Sequence, residues 1–172
     1  MKPRMPVQEL LYGAILAALA IMIPTVFSGW LQIVIPPFSA TLGSHVPTML
    51  AMFLSPTVAA LVGIGSAFGF FVTLGPIVAM RASVHILVGV MGAKLIRRGY
   101  SPLTALALTA LPHALGESIV VMPFGFDLYT ALVVVGLGTL LHHIMDSIFA
   151  LALNGSLSKA GFSLRKMIPS KN

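Results

Sequence analysis

Residues 76–98 read Pro-Ile-Val-Ala-Met-Arg-Ala-Ser-Val-His-Ile-Leu-Val-Gly-Val-Met-Gly-Ala-Lys-Leu-Ile-Arg-Arg, and this stretch limits the fold more than any other. It is long enough and apolar enough to cross a bilayer as a helix. It nevertheless carries Arg81 and His85, which share one helix face because they are four residues apart. An Arg at bilayer depth costs on the order of 3 kcal/mol when it faces lipid. Arg81 is therefore expected to face a cavity or a partner. Lys94, Arg97 and Arg98 gather at the far end and mark the side on which that end lies.

The rest of the chain agrees with a membrane setting. It has 172 residues, 58% hydrophobic and 8% charged, with a mean hydropathy of +1.01. A soluble surface needs several times more charge. The apolar runs are continuous, unlike the alternating ten-residue strands of a membrane barrel. The expectation is a single all-α domain over residues 1–172, a polytopic bundle of six transmembrane helices in the cell membrane. Cys is absent, which excludes disulfides, thiol chemistry and Cys-based metal sites. The net charge of +6 comes from basic residues in tails and short loops, so it reads as a topology signal and not as nucleic-acid binding.

Six spans are expected, at about 8–26, 41–54, 57–73, 76–98, 101–122 and 128–153. Lys2 and Arg4 precede the first, Arg97 and Arg98 follow the fourth, and Lys159, Arg165, Lys166 and Lys171 follow the sixth. Six spans put all of these on one side, and the positive-inside rule makes both termini cytoplasmic. Span 1 holds two small-xxx-small pairs, Gly13/Ala17 and Ala14/Ala18. Span 3 holds two small-residue stripes, Ala59/Gly63/Ala67 and Gly65/Gly69. Both patterns allow close helix approach. Residues 27–40 form a long non-basic connection with Trp30, Pro36, Pro37 and Phe38, in which Gln32 between apolar neighbours hints at a short extended piece. Such a loop suits a lid, although Trp30 also suits an interfacial anchor. Pro112 inside span 5 is expected to kink it.

Counted from the span ends, Arg81, Glu117, His85, His113 and His45 fall at similar depths and converge on one outward-facing pocket. A few polar groups in an apolar frame are what a small-ligand site needs; a plain Arg81–Glu117 ion pair is the competing structural reading. His142 and Asp146 share a face of span 6, and a hydrogen bond within that helix satisfies both. No metal and no cofactor are expected, because no HxxxH or HExxH spacing occurs and Arg81 would repel a cation. Ser66, Ser83 and Ser118 give no nucleophile–base set, so no enzyme activity is expected. No phosphate-binding GxxxxGK[ST] motif is present either, so active transport needs an outside source of energy.

Residues 39–63 carry a family likeness. His45-Val-Pro47, Leu50-Ala51, and Ser55-Pro56 followed by Ala59 and Val62-Gly63 resemble helices two and three of the substrate-binding S components of energy-coupling factor (ECF) vitamin transporters. Ala14-xxx-Ala18 is similar to that family's AxxxA motif, and length and span number agree. Ile35-Pro36-Pro37, Ser44-His45-Val46-Pro47 and Arg81-xxx-His85 are most like the niacin-specific branch. The resemblance implies a small vitamin substrate bound near the outer face, between the first, third and fifth loops and helices 4–6. It also implies partners: a transmembrane coupling subunit docked at Ala14 and Ala18, and two ATPase subunits. Arg81 would then pair with a carboxylate, Trp30 or Phe38 would cover a ring, and His45, His85, His113 and Glu117 would complete the site. Other small acids such as pantothenate or lipoate, a pyridoxine-type precursor, or a scaffold protein without a ligand remain as alternatives.

Overall fold

The computed structural model describes residues 7–164; Lys2, Arg4, Arg165, Lys166 and Lys171 lie outside them. Five helices are long and apolar enough to cross a membrane. They are α1 (Val7–Val26), α3 (Pro56–Leu74), α4 (Pro76–Arg97), α5 (Pro102–Val121) and α6 (Gly138–Lys159), and α6 continues a π-helical segment, Thr130–Leu137. Proline stands at the first turn of α3, α4 and α5, where its missing N–H costs nothing and its fixed φ starts the helix. Ser55 and Ser101 cap α3 and α5 by accepting from Val58 N and Thr104 N. α5 runs on through Pro112 as one helix.

The expected second span is not a membrane-length helix, and the fold is mostly helical, not all-α. Residues 32–41 form a hairpin of β1 (Gln32–Ile35) and β2 (Phe38–Thr41), paired antiparallel from Gln32↔Thr41 to Ile35↔Phe38. A turn at 42–45 leads into α2 (Val46–Met52), seven residues long. Gly43 sits at φ 79°, a conformation that other residues strongly disfavour. The Asp146 carboxylate accepts from Gly43 N and His45 N at 2.9 Å each. An acceptor on α6, about a hundred residues away, thus holds open a turn where apolar composition alone favours helix.

Helix directions follow from the glycine contacts. A Cβ at Gly65 would lie against Ala17, and one at Gly69 against Ile21, while Gly13 faces Val58. So α1 and α3 run parallel. Gly63 faces Ile86 and Gly89 faces Ala59, making α3 and α4 antiparallel; Arg81 meets Glu117 and His85 meets His113, making α4 and α5 antiparallel as well. His113 touches His143 while Glu117 touches Thr139, so α6 also runs against α5. A parallel α1 and α3 require the link between them to recross the bundle, which β2, the turn and α2 do together. The described chain therefore makes six passes, five of them as long helices. Its two described ends lie at the same end of the bundle as Arg97 and Arg98.

The short α2 is the centre of the core. Met49 to Leu54 are buried against Leu16 and Ala20 of α1, Val58 and Val62 of α3, Val88 of α4 and Leu106 of α5. A second, smaller cluster of Phe38, Val121, Ala131 and Val135 seats the hairpin at the opposite end from Arg97. The two small stripes of α3 serve different neighbours: Gly65 and Gly69 meet α1, and Ala59 and Gly63 meet α4. The approach at Gly63 is close enough that Ser66 Oγ reaches His85 Nδ1 at 2.8 Å, which ties helix packing to the polar cluster.

Candidate functional site

All five histidines of the chain, with Arg81, Glu117 and Asp146, meet under the hairpin. Arg81 lies one and a half turns inside α4 and is 4% exposed; Glu117 on α5 is 2% exposed. Arg81 donates from Nε to Glu117 Oε2 at 2.9 Å and from Nη2 to the same oxygen at 2.5 Å. Two of its other N–H groups reach the hairpin: Nη1 donates to Pro37 O at 2.9 Å and Nη2 to Ser39 O at 3.4 Å. The Phe38 ring stands 5.2 Å from the guanidinium carbon, within cation–π range. Its other side rests where Gly138 lacks a Cβ. Thr139 Oγ1 donates to Glu117 Oε2 at 2.7 Å. The hairpin is thus pinned over a guanidinium with four of its five N–H groups bonded, and one carboxylate oxygen accepts from two residues.

The other oxygen, Glu117 Oε1, faces imidazoles: His113 Nε2 at 3.1 Å and His85 Nε2 at 3.5 Å. His113 Nδ1 bonds His143 Nδ1 at 2.9 Å, and His143 Nε2 donates to Leu106 O at 3.0 Å. His45 joins the group with ring centroids 4.6 Å from His85, 4.7 Å from His113 and 4.3 Å from His142. His45 Nδ1 and His142 Nε2 approach Asp146 Oδ2 at 3.3 and 3.2 Å, and His142 Nε2 also donates to Thr41 O at 3.1 Å. His142 and Asp146 are close, as their spacing leads one to expect, but the hydrogen bond of His142 Nε2 goes to Thr41 O and not within the helix. Asp146 organises the turn before α2.

A cavity of about 10 Å³ lies between Ser39, His45, Arg81, His85, Glu117 and His142. That is room for about one water-sized atom. A larger cavity, about 220 Å³, lies toward the Arg97 end among Phe53, Ile96, Pro102, Asn154, Ser158 and Ser163, and no charged group lines it. Chemistry, not size, marks the first as the candidate site.

Of the residues singled out from the sequence, the structure brings together Arg81, His85, His45, Phe38, His113 and Glu117. It does not bring in Trp30, which is 66% exposed, packed edge-on against Phe27 at 5.3 Å, and donates from Nε1 to Val26 O. Thr139, Ser66 and His143 were not singled out for this pocket. Thr139, His143 and Asp146 recur on one face of α6, and that spacing was the available signal. On α1, Gly13 and Ala17 face α3, whereas Ala14 and Ala18 lie on the exposed face.

These features define a multi-pass helical membrane protein with a buried, highly polar site below a hairpin at one end. Over 90% of its length the chain is 34% identical to the niacin transporter NiaX of Lactococcus lactis subsp. cremoris (strain MG1363), covering 76% of that relative. No protein-family profile matches the chain, and no solved structure matches it. The chain belongs to the family of substrate-binding S components of ECF vitamin transporters. It is a transport protein and not an enzyme.

Proposed function

We propose that this chain is the specificity subunit for a small carboxylate-bearing vitamin, niacin before other acids, taken up from outside. The observation that carries the reading is the buried Arg81 guanidinium, held by one carboxylate and two hairpin carbonyls. A planar fork is suited to a carboxylate. The hairpin carbonyls are the partners that an incoming anion can replace, since they bring no charge of their own. Phe38, already against the guanidinium, would cover a pyridine ring, while His45, His85, His113 and Glu117 form the floor. The NiaX likeness supports niacin as the acid. The small cavity means that the hairpin must lift for the ring to enter.

The Arg97–Arg98 turn supports a cytoplasmic placement of that end and of both termini, with the hairpin facing outward. The exposed Ala14/Ala18 face would dock the coupling subunit, which works with two ATPase subunits. A titration of nicotinate and nicotinamide against native protein and Arg81→Ala tests the site. The acid should bind the native protein far better than the amide, and Arg81→Ala should weaken acid binding by roughly 2–5 kcal/mol. Equal binding of acid and amide, or undiminished acid binding by the Ala variant, would remove Arg81 from the site.

A further inference from the structure

The hydrogen-bond chain behind His113 fixes which of its nitrogens carries a lone pair. Leu106 O can only accept, so His143 Nε2 bears the hydrogen. A neutral His143 then accepts at Nδ1, and His113 Nδ1 is the donor in their 2.9 Å bond. That leaves His113 Nε2 with its lone pair aimed at Glu117 Oε1, 3.1 Å away. With His113 neutral, two acceptors face each other in a buried site, an arrangement that repels unless a proton or a metal ion stands between them. His85 Nε2, on the same oxygen's other flank at 3.5 Å, is buried without a hydrogen-bond partner.

We propose that His45, His85, His113 and Glu117 bind a divalent transition-metal ion of the zinc type at the floor of the site. One donor atom from each of the four lies within 4.8 Å of the others. Two nitrogen and oxygen ligands of a tetrahedral zinc stand about 3.4 Å apart, and the observed 3.1 and 3.5 Å bracket that value. Imidazole with carboxylate is the donor set such ions prefer. The outer nitrogens are already oriented, His85 Nδ1 by Ser66 and His113 Nδ1 by His143, as in established sites where a second partner fixes each imidazole. The adjoining cavity is of single-atom size.

Arg81 is bound to Oε2 and leaves Oε1 to the imidazoles, so its positive charge is offset by the same carboxylate that would hold the ion. The charge balance also fits. With neutral histidines, Glu117 and Asp146 exceed Arg81 by one negative charge. An anionic vitamin adds a second, and one divalent ion cancels both. Spacing along the chain ties only His113 to Glu117, because the four ligands come from two helices and a turn.

The test is metal binding by tag-free protein in detergent, stripped with chelator and titrated with Co²⁺ alone. One ion per chain should bind, with the visible absorption of a low-coordinate nitrogen and oxygen site, and Zn²⁺ should displace it. His85→Gln and His113→Gln should each weaken uptake at least about tenfold, the scale seen even for outer partners. Should either variant fail to fold, X-ray absorption of native zinc-loaded protein decides, with imidazole scattering expected. Absent stoichiometric uptake, uptake unchanged in both Gln variants, or an ion without imidazole ligands would each overturn the proposal. So would uptake that needs His142 but neither His85 nor His113. Nicotinate binding, measured separately in chelator, keeps the vitamin reading distinguishable: it can fail while Co²⁺ uptake survives, and the reverse.

Discussion

Arg81 and Glu117 are each costly in an apolar bundle and tolerable together. Removing one leaves a buried charge without its partner, which costs roughly 3–5 kcal/mol. Glu117→Ala is therefore expected to lower the unfolding temperature in detergent sharply. The double variant Arg81→Met with Glu117→Leu should recover most of that stability and still bind no acid. Thermal unfolding of the three variants beside a nicotinate titration checks this, and a double variant as unstable as the single would show that the pair is not the source of the cost. This pair was visible in the sequence because depth can be counted inward from two well-marked span ends. His143 and Thr139 were harder to place. Their helix is entered through the π-helical segment 130–137, whose wider turn shifts which face later residues present. The same counting drew His45, His85 and His113 together, but it left out His142 and His143, which join them only once α6 has packed against α5 and the turn at 42–45.

Among the elements, α3 shows how small residues set the geometry of a polar site. A Cβ at Gly63 would stand 2.8 Å from the Ile86 backbone, so Gly63→Ala must push α4 away and is expected to cost about 1–3 kcal/mol. The same displacement draws His85 from Ser66, so acid binding should fall along with stability. Gly155→Ala is the contrasting substitution: nothing lies within 4 Å of its Cβ, and helix propensity predicts a gain of up to about 1 kcal/mol. Denaturation of both variants would show whether the glycine stripe or glycine content alone matters. The long helices and the paired stripes were legible because apolar length and small-residue spacing are local properties. The hairpin was legible only as a hint at Gln32. The segment 41–54 read as helix because short apolar runs do not distinguish helix from strand, and the acceptor that bends it is Asp146.

For the whole molecule, the parallel course of α1 and α3 separates two helix faces that looked alike in sequence. Ala17 packs on α3, and Ala14 and Ala18 face outward. Ala14→Trp and Ala18→Trp are expected to preserve nicotinate binding and abolish assembly with the coupling subunit, whereas Ala17→Trp should unfold the bundle. Co-purification with that subunit, beside ligand binding, reads all three; normal assembly of both outward variants would free this face from docking. Topology is open to labelling, since the chain has no native Cys. Ser28→Cys and Asp127→Cys should react with an impermeant reagent from outside, and Arg97→Cys should not. The opposite pattern would invert the protein in the membrane.

The mixed strand-and-helix crossing also sets an order in time. Backbone amides in an apolar phase need acceptors at once, yet those of Gly43 and His45 find theirs on residue 146. A ribosome delivers that carboxylate only after about a hundred further residues have been made. Until then the turn cannot be satisfied in place, and the segment has to wait at the membrane surface while α3 to α6 enter. The centre of the finished bundle is thus among the last parts to be installed, and truncation before α6 should leave the early half of the chain without its second crossing.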